Sequence, residues 1–239
     1  LKKTFSRKLR NSHMLRESVI LAGGLGTRLK SVSGETPKPL VSVSGKPFVY
    51  YILDSLLAQG ITHIIFAVSS RSDFFMSEVG EQYKSAKISY SVEKEPLGTG
   101  GAIRQALEFC SAQDVLVTNG DTFLDVSLEK FYQSHKLSAK NISMALAKVE
   151  DLSRYGSVNV SENKIVGFAE KGESGEGIIN GGMYLLFRPS ISLPAGSFSF
   201  EEVILRQHYR EINPFLCDGY FIDIGIPSDY FKACNTFKS

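Results

Sequence analysis

The chain has 239 residues, 27 Lys plus Arg against 25 Asp plus Glu, a formal net charge of +2, and 43% hydrophobic and 22% charged residues. These fractions exclude a disordered or fibrous chain and leave ample material for one large core. No run of about 18 apolar residues exists, which excludes a transmembrane helix, and residues 1–17 lack the apolar stretch of a signal peptide.

In chain order, the first feature is a basic extension. Lys2, Lys3, Arg7, Lys8, Arg10 and Arg16 against Glu17 give residues 1–17 a balance of +5, which leaves −3 for the rest. The mildly acidic body argues against a broad nucleic-acid surface. The extension is expected to be flexible. Leu1 in place of Met fits a fragment or trimmed chain, and Ser12-His13-Met14 fits a cloning remnant.

Ser18–Ala22 reads as a short buried strand that runs straight into Gly23-Gly24-Leu25-Gly26-Thr27-Arg28. After Pro47, the spacing of Phe48, Tyr51, Ile52 and Leu56 predicts a helix closed by Gly60. Ile61–Val68 is a second β-branched apolar run. A polar helix is expected near 72–84, a strand over Ile88–Val92, a helix over Gly101–Cys110 and a strand over Asp114–Thr118. This alternation predicts an α/β fold with a doubly wound, mainly parallel, Rossmann-like sheet. After about residue 140 the pattern turns strand-rich, with Asn141–Val149, Gly156–Val160, Lys164–Glu170 and Ile178–Phe187, and a turn at Glu162-Asn163. Ser199-Phe-Glu-Glu202 reads as a capping box, Tyr220–Ile224 as the last strand, and Pro227 as the start of a C-terminal helix.

The strand–loop–helix junction at 18–28 carries the most chemistry. Glycines at 23, 24 and 26 let backbone amides approach a ligand, and a following helix N-terminus favours an anion. Arg28 adds a planar fork of donors for phosphate oxygens. No G-K-[ST] follows, so this is not a Walker loop, and Leu29 replaces the third glycine of a dinucleotide fingerprint. Lys38 lies between Pro37 and Pro39, which restrict the backbone and aim the lysine at low entropy cost. A plain glycine turn and a surface lysine are the ordinary alternatives; together the two features favour a polyphosphate site.

Leu21-Ala-Gly-Gly-Leu-Gly-Thr-Arg-Leu29 followed by Pro37-Lys38-Pro39 closely resembles the sugar-1-phosphate nucleotidyltransferases. The later motifs follow in the same order: Glu93-Lys-Glu-Pro-Leu-Gly-Thr-Gly-Gly-Ala102, Asn119-Gly-Asp-Thr122, Glu170-Lys171, Ile179-Asn-Gly-Gly182 and Phe221-Ile-Asp-Ile-Gly225. The resemblance runs from residue 18 to about 236, and among the family's branches it is strongest to the guanylyltransferases acting on D-glycero-α-D-manno-heptose 1-phosphate. One departure is Lys30-Ser-Val-Ser33, where many members have a proline.

The resemblance implies a nucleotide-diphospho-sugar transferase fold. It divides the domain at 18–239 into a nucleotide-binding core at about 18–140, a sugar-binding lobe with the second metal aspartate at about 141–225, and a C-terminal helix at 226–239. It implies nucleotide contacts at Leu21, Ala22, Gly23, Gly24, Gly26, Thr27, Glu95, Gly98, Thr99 and Gly120. It places Arg28, Lys38, Asp121 and Lys171 in catalysis, and Asp121 with Asp223 on Mg²⁺. Sugar contacts fall at Gly156, Glu170, Asn180 and Gly181, with the sugar phosphate on Lys171.

The residues support these roles unequally. Asp121 follows a strand at the carboxyl edge where open α/β sheets bind ligands, although alone it would pass as a turn residue. Asp223 is flanked by Phe221, Ile222 and Ile224, and an acid there is costly to bury unless paired or bound to metal. Thr99 could simply cap a helix, Glu93 and Glu95 could be exposed, and Glu170-Lys171 could be a surface charge pair.

The remaining chemistry-bearing residues form no rival site. Cys110, Cys217 and Cys234 have no metal or redox spacing and fit a reduced, cytoplasmic protein. His13, His63, His135 and His208 are isolated. The expected reaction is sugar 1-phosphate plus nucleoside triphosphate giving nucleotide-sugar and pyrophosphate, with GTP and the manno-heptose as the implied pair and surface glycan assembly as the use. Mannose or glucose 1-phosphate with another base, a regulatory nucleotide-sugar-binding subunit, and a Rossmann oxidoreductase are the alternatives. Nucleic acid and membrane insertion are not expected; a homo-oligomer is compatible with the sequence.

Overall fold

The apolar runs at 18–22, 61–68 and 114–118 are buried along nearly their whole length, as strands covered on both faces must be. A computed structural model describes residues 15–24, 29–69, 72–172 and 174–237. The strands of the main sheet are β1 (Glu17–Leu21), β4 (His63–Val68), β5 (Gln82–Tyr83), β6 (Ala86–Val92), β7 (Asp114–Asn119), β9 (Ile142–Val149), β12 (Gly177–Phe187) and β13 (Ile212–Cys217). Three small pairs are β2 (Ser42–Val43) with β3 (Lys46–Pro47), β8 (Thr122–Leu124) with β14 (Phe221–Asp223), and β10 (Val158–Ser161) with β11 (Lys164–Phe168). The helices are α1 (Lys30–Ser33), α2 (Phe48–Ala58), α3 (Ser72–Glu78), α4 (Gly98–Ala106), α5 (Leu128–Ser138) and α6 (Pro227–Thr236).

The eight-stranded sheet runs β13-β9-β12-β7-β1-β4-β6-β5. From β1 the chain steps outward through β4 and β6, all parallel, and then returns to the other side of β1 at β7. That reversal opens a crevice at the carboxyl ends of β1 and β7, where open α/β sheets bind ligands. Helices cover both faces. Phe48, Ile52 and Leu56 of α2 join Phe75, Phe131 and Ala233 in one core, while Ala102, Ile103 and Ala106 of α4 join Val117 and Tyr184 in the other. The sheet is therefore doubly wound and mainly parallel, with β12 antiparallel to both β7 and β9.

The strand-rich second half is not a sheet of its own. β9, β12 and β13 extend the central sheet, and the β10–β11 hairpin stands apart from it. Its turn is Glu162-Asn163 as expected, with φ of 48° and 56°, the left-handed pair that a tight hairpin needs.

Several elements differ from the sequence reading. The helix expected near 72–84 stops at Glu78, and Gly80 at φ +71° turns the chain into the short edge strand β5. α5 has no place in that reading, because only Leu128, Phe131 and His135 are buried on an otherwise polar helix. β13 is also absent from it: Pro214 interrupts the pattern, and the sheet tolerates it on an edge strand. Finally, Leu15 and Glu17, counted with the flexible extension, are buried in the fold.

Candidate active site

Two turns from neighbouring strands meet at the crevice. Gly23 and Gly24 follow β1, and Gly120-Asp121 follows Asn119, the last residue of β7. The Gly120 amide donates to the Leu21 carbonyl at 2.8 Å, which fixes the two turns side by side. Pro37 leads into a single 3-10 turn at Lys38–Leu40, anchored by buried Pro39 and Leu40. The turn delivers Lys38 to the crevice, where its Nζ lies 3.2 Å from Asp121 Oδ2. The Lys38 side chain is only 11% exposed, so it is held rather than solvated.

Asp223 arrives from 102 positions later in the chain through the β8–β14 pair, where it sits opposite Thr122. The Ile224 amide donates to the Asp121 carbonyl at 3.0 Å and closes the link. Burial pushes the Asp223 carboxyl up, and the Asp121 charge pushes it further. Opposing them are the Gly225 amide, 2.6 Å from Asp223 Oδ1, the Arg154 guanidinium, 3.8 Å from Oδ2, and Lys38. Two neighbouring carboxylates of this kind fit a hard divalent cation that shares its remaining positions with phosphate oxygens and water. Among the described residues no group of three or more His, Cys, Asp and Glu side chains could enclose a metal by itself.

A cleft of about 360 Å³ opens beside this edge. Of the expected residues, Leu21, Ala22, Gly23, Gly24, Lys38, Gly98, Thr99 and Asp121 line it. Gly120 stands behind, against Pro39 and Leu21. Gly98 has φ +65°, and a Cβ there would meet the Phe198 carbonyl at 2.6 Å, so only glycine fits the loop. Glu95 is exposed and not among the lining residues; Glu93 is. Burial pushes the Glu93 carboxyl up, against the Leu97 amide, which donates to it at 3.3 Å. Thr99 is not the cap of its own helix, whose N-cap is Leu97 without a side-chain bond: its hydroxyl donates to Glu201 Oε2 at 2.6 Å and accepts from Phe200 N at 2.9 Å. Glu201 lines the cleft and also accepts from Ser199 Oγ at 3.1 Å. Sequence reasoning passed over Glu201, because it sits inside the capping box; Ser199 Oγ does accept from Glu202 N at 3.2 Å.

The expected sugar residues form a second group around the β10–β11 hairpin and the bulge in β12. Gly156 is packed against Ala169, with its Cβ position 2.8 Å from that carbonyl oxygen. Glu170 is 81% exposed and paired with Arg206 at 2.6 Å. Lys171 is exposed beside it. Asn180 and Gly181 open the bulge, where the register shifts between Asn180 and Met183. Asn180 Oδ1 accepts from Gly182 N at 2.9 Å and Nδ2 donates to Tyr184 Oη at 2.7 Å, so its amide shapes the bulge. Gly26, Thr27 and Arg28 lie outside the described residues.

Comparison with known proteins bears on this geometry. The Nucleotidyl transferase family matches residues 17–239. A D-glycero-alpha-D-manno-heptose 1-phosphate guanylyltransferase of Campylobacter jejuni is 44% identical over 220 residues, 90% of this chain and 97% of its own length. One of the same name from Aneurinibacillus thermoaerophilus is 39% identical over 221 residues, 91% of this chain and 96% of its own. The crystal structure of HddC from Yersinia pseudotuberculosis complexed with GMP-PN matches with a TM-score of 0.85 at 42% identity, over 94% of this chain and 100% of that one.

Proposed function

The chain belongs to the nucleotidyl transferase family, and on that footing we propose that it joins GTP to D-glycero-α-D-manno-heptose 1-phosphate, giving GDP-heptose and pyrophosphate. The observation that carries the chemistry is the meeting of the Gly23-Gly24 turn, Lys38 and the Asp121–Asp223 pair at one point of the sheet edge. In the reaction a sugar-phosphate oxygen bonds to the α-phosphorus in line. The bond from the α-phosphorus to the bridging oxygen breaks, and pyrophosphate leaves with the electron pair. That nucleophile is already ionised near neutral pH, so no side chain has to take a proton.

The work of the protein is placement and charge neutralisation. Backbone amides of Gly23 and Gly24 approach the triphosphate, with Arg28 as the added fork. Lys38 offsets charge near the α-phosphate. Asp121 and Asp223 would hold Mg²⁺, which when bound neutralises the phosphate oxygens and orients them. Lys171 would hold the incoming phosphate, with Gly156, Glu170, Asn180 and Gly181 on the sugar.

The choice of guanine rests on the likeness to the two guanylyltransferases and on Glu93. An ionised carboxylate only accepts hydrogen bonds, and guanine presents two adjacent N–H donors on one edge. The choice of heptose rests on the likeness alone. The product would serve as an activated heptose for surface glycan assembly, made in the cytoplasm where nucleoside triphosphates are abundant. Pyrophosphate release with Mg²⁺, crossing GTP, ATP, CTP, UTP and dTTP with manno-heptose, mannose and glucose 1-phosphates, tests the reading. Release with GTP and the heptose is expected. Release with another pair discards the substrates, and no release with any pair from folded protein turns the reading toward a regulatory subunit.

A further inference from the structure

Each carboxylate of the Asp121–Asp223 pair has a cation of the protein beside it. Lys38 serves Asp121 from within the nucleotide cleft. Asp223 has Arg154, which comes from the loop between β9 and β10, ahead of the residues expected to touch the sugar. The Arg154 side chain is 29% exposed and is anchored at its other end by an ion pair to Asp229. Asp229 lies in the first turn of α6 and is itself buried; its second cation, Lys232, is 3.5 Å away and well exposed. The Arg154 guanidinium also lies 5.2 Å from the centre of the Tyr155 ring, and Tyr155 meets Phe221 of β14 edge to face at 5.9 Å. One arginine thus touches the metal strand, the C-terminal helix and the sugar-side loop.

We propose that Arg154 is a positioning residue for Asp223: gripped by Asp229, its guanidinium sets the direction of the Asp223 carboxylate and ties the Tyr155-Gly156 loop to the strand that carries it. The proposal rests on the reading of Asp121 and Asp223 as the metal pair. At 3.8 Å the guanidinium acts on Asp223 through its charge, and a planar fork fixed at one end holds that charge on one side of the carboxylate, which a flexible ammonium cannot do. Partners that orient metal ligands in this way typically contribute 10- to 100-fold in metal affinity. The opposite expectation holds if Arg154 is only a nearby positive charge, since its removal would then favour the cation.

The experiment measures Mn²⁺ affinity of the full chain with GTP bound and no sugar phosphate, by the paramagnetic signal of free Mn²⁺. Arg154→Gln leaves Asp229 buried beside one exposed lysine and endangers folding. The double variant Arg154→Gln with Asp229→Asn removes both charges and guards against that. Expected is an affinity about tenfold weaker in the double variant, with a lower kcat and a near-normal KM for GTP at saturating metal. Arg154→Lys, which keeps the charge and loses the fork, is expected to stay impaired. Wild-type or tighter Mn²⁺ binding by the folded double variant overturns the proposal. Asp223→Asn is the control. If it too binds Mn²⁺ like wild type, the metal reading itself falls and takes the proposal with it; if it alone weakens binding, only the role of Arg154 falls.

Discussion

The two edges of the central sheet each bury carboxylates, and they treat them in opposite ways. At the amino edge, burial would raise Glu17, but the Ala112 and Ser111 amides at 2.7 and 2.8 Å, the Ser111 hydroxyl and His63 outweigh it, and its carboxyl is held low. Asp114 at the start of β7 is likewise buried, yet Lys136 and Tyr132, each at 2.9 Å, and His135 hold it at about 2. At the carboxyl edge, the described residues offer Glu93 the Leu97 amide, and offer Asp223 one amide, a guanidinium at 3.8 Å and the charge of Lys38, and both are pushed up. Burial is common to all four; the supply of donors differs. A carboxylate met by several donors stabilises the fold, whereas one that burial still pushes up is ready for a ligand that satisfies it.

The sharpest way to break this comparison is to neutralise one carboxylate at the open edge. Asp121→Asn or Asp223→Asn should lower turnover by more than about 100-fold, since losing even an outer partner of a metal site costs 10- to 100-fold. Both variants should keep the wild-type circular dichroism and melting temperature, because neither carboxylate is needed to fill the core. Wild-type rates in both folded variants would remove the metal pair from the mechanism.

On the proposed reading, Glu93 serves the base and the rest of the same edge serves the phosphates. Glu93→Gln exchanges an acceptor-only carboxylate for an amide that presents both a donor and an acceptor. Discrimination for GTP over ATP should fall by roughly 100-fold, the scale of one hydrogen bond to a charged group. Initial-rate measurements with both triphosphates test this; an unchanged ratio would move base recognition elsewhere, with Glu201 the next acidic side chain of the cleft.

How much of this was readable beforehand follows from distance along the chain. Gly23, Gly24 and Asp121 sit in short motifs after strands, and the alternation of strands and helices located those strand ends; Lys38 stood out by its two flanking prolines, and the role of Asp121 came from the resemblance. Asp223 was suspected from its apolar neighbours, but its place beside Asp121 depends on the three-residue pairing of β8 with β14, which leaves no periodic signal. Arg154 and Glu201 were invisible for the same reason: their roles depend on partners 69 and 102 positions away, Asp223 and Thr99. The polar helix α5 and the proline-bearing β13 show why pattern fails at edges, where fewer side chains are buried.

The amino edge yields the last and smallest effect, and it has a definite sign. Asp114 is held at about 2 in the fold against 3.8 for the free side chain. Between those values the unfolded chain binds more protons, so stability rises with pH through the window and is lost as pH falls from about 4 toward 2. The side chain is only 8% exposed, so little is lost to screening, and the shift corresponds to about 2 kcal/mol at neutral pH. Asp114→Asn should therefore lower the melting temperature by about 4–8 °C at pH 7. It should also flatten the loss of stability below about pH 4, while kcat stays unchanged, since β7 places this cluster about 17–20 Å from Asp121. Ser143, His135 and Asp114 lie in the order of a nucleophilic triad, with His135 Nδ1 2.7 Å from Ser143 Oγ and Nε2 3.5 Å from Asp114. Ser143 is fully buried and also bonded to Asn213 Nδ2 at 3.1 Å, so no substrate can reach its hydroxyl, and the cluster acts on stability alone. A variant that melts like wild type but turns over slowly would reverse the assignment of the two edges.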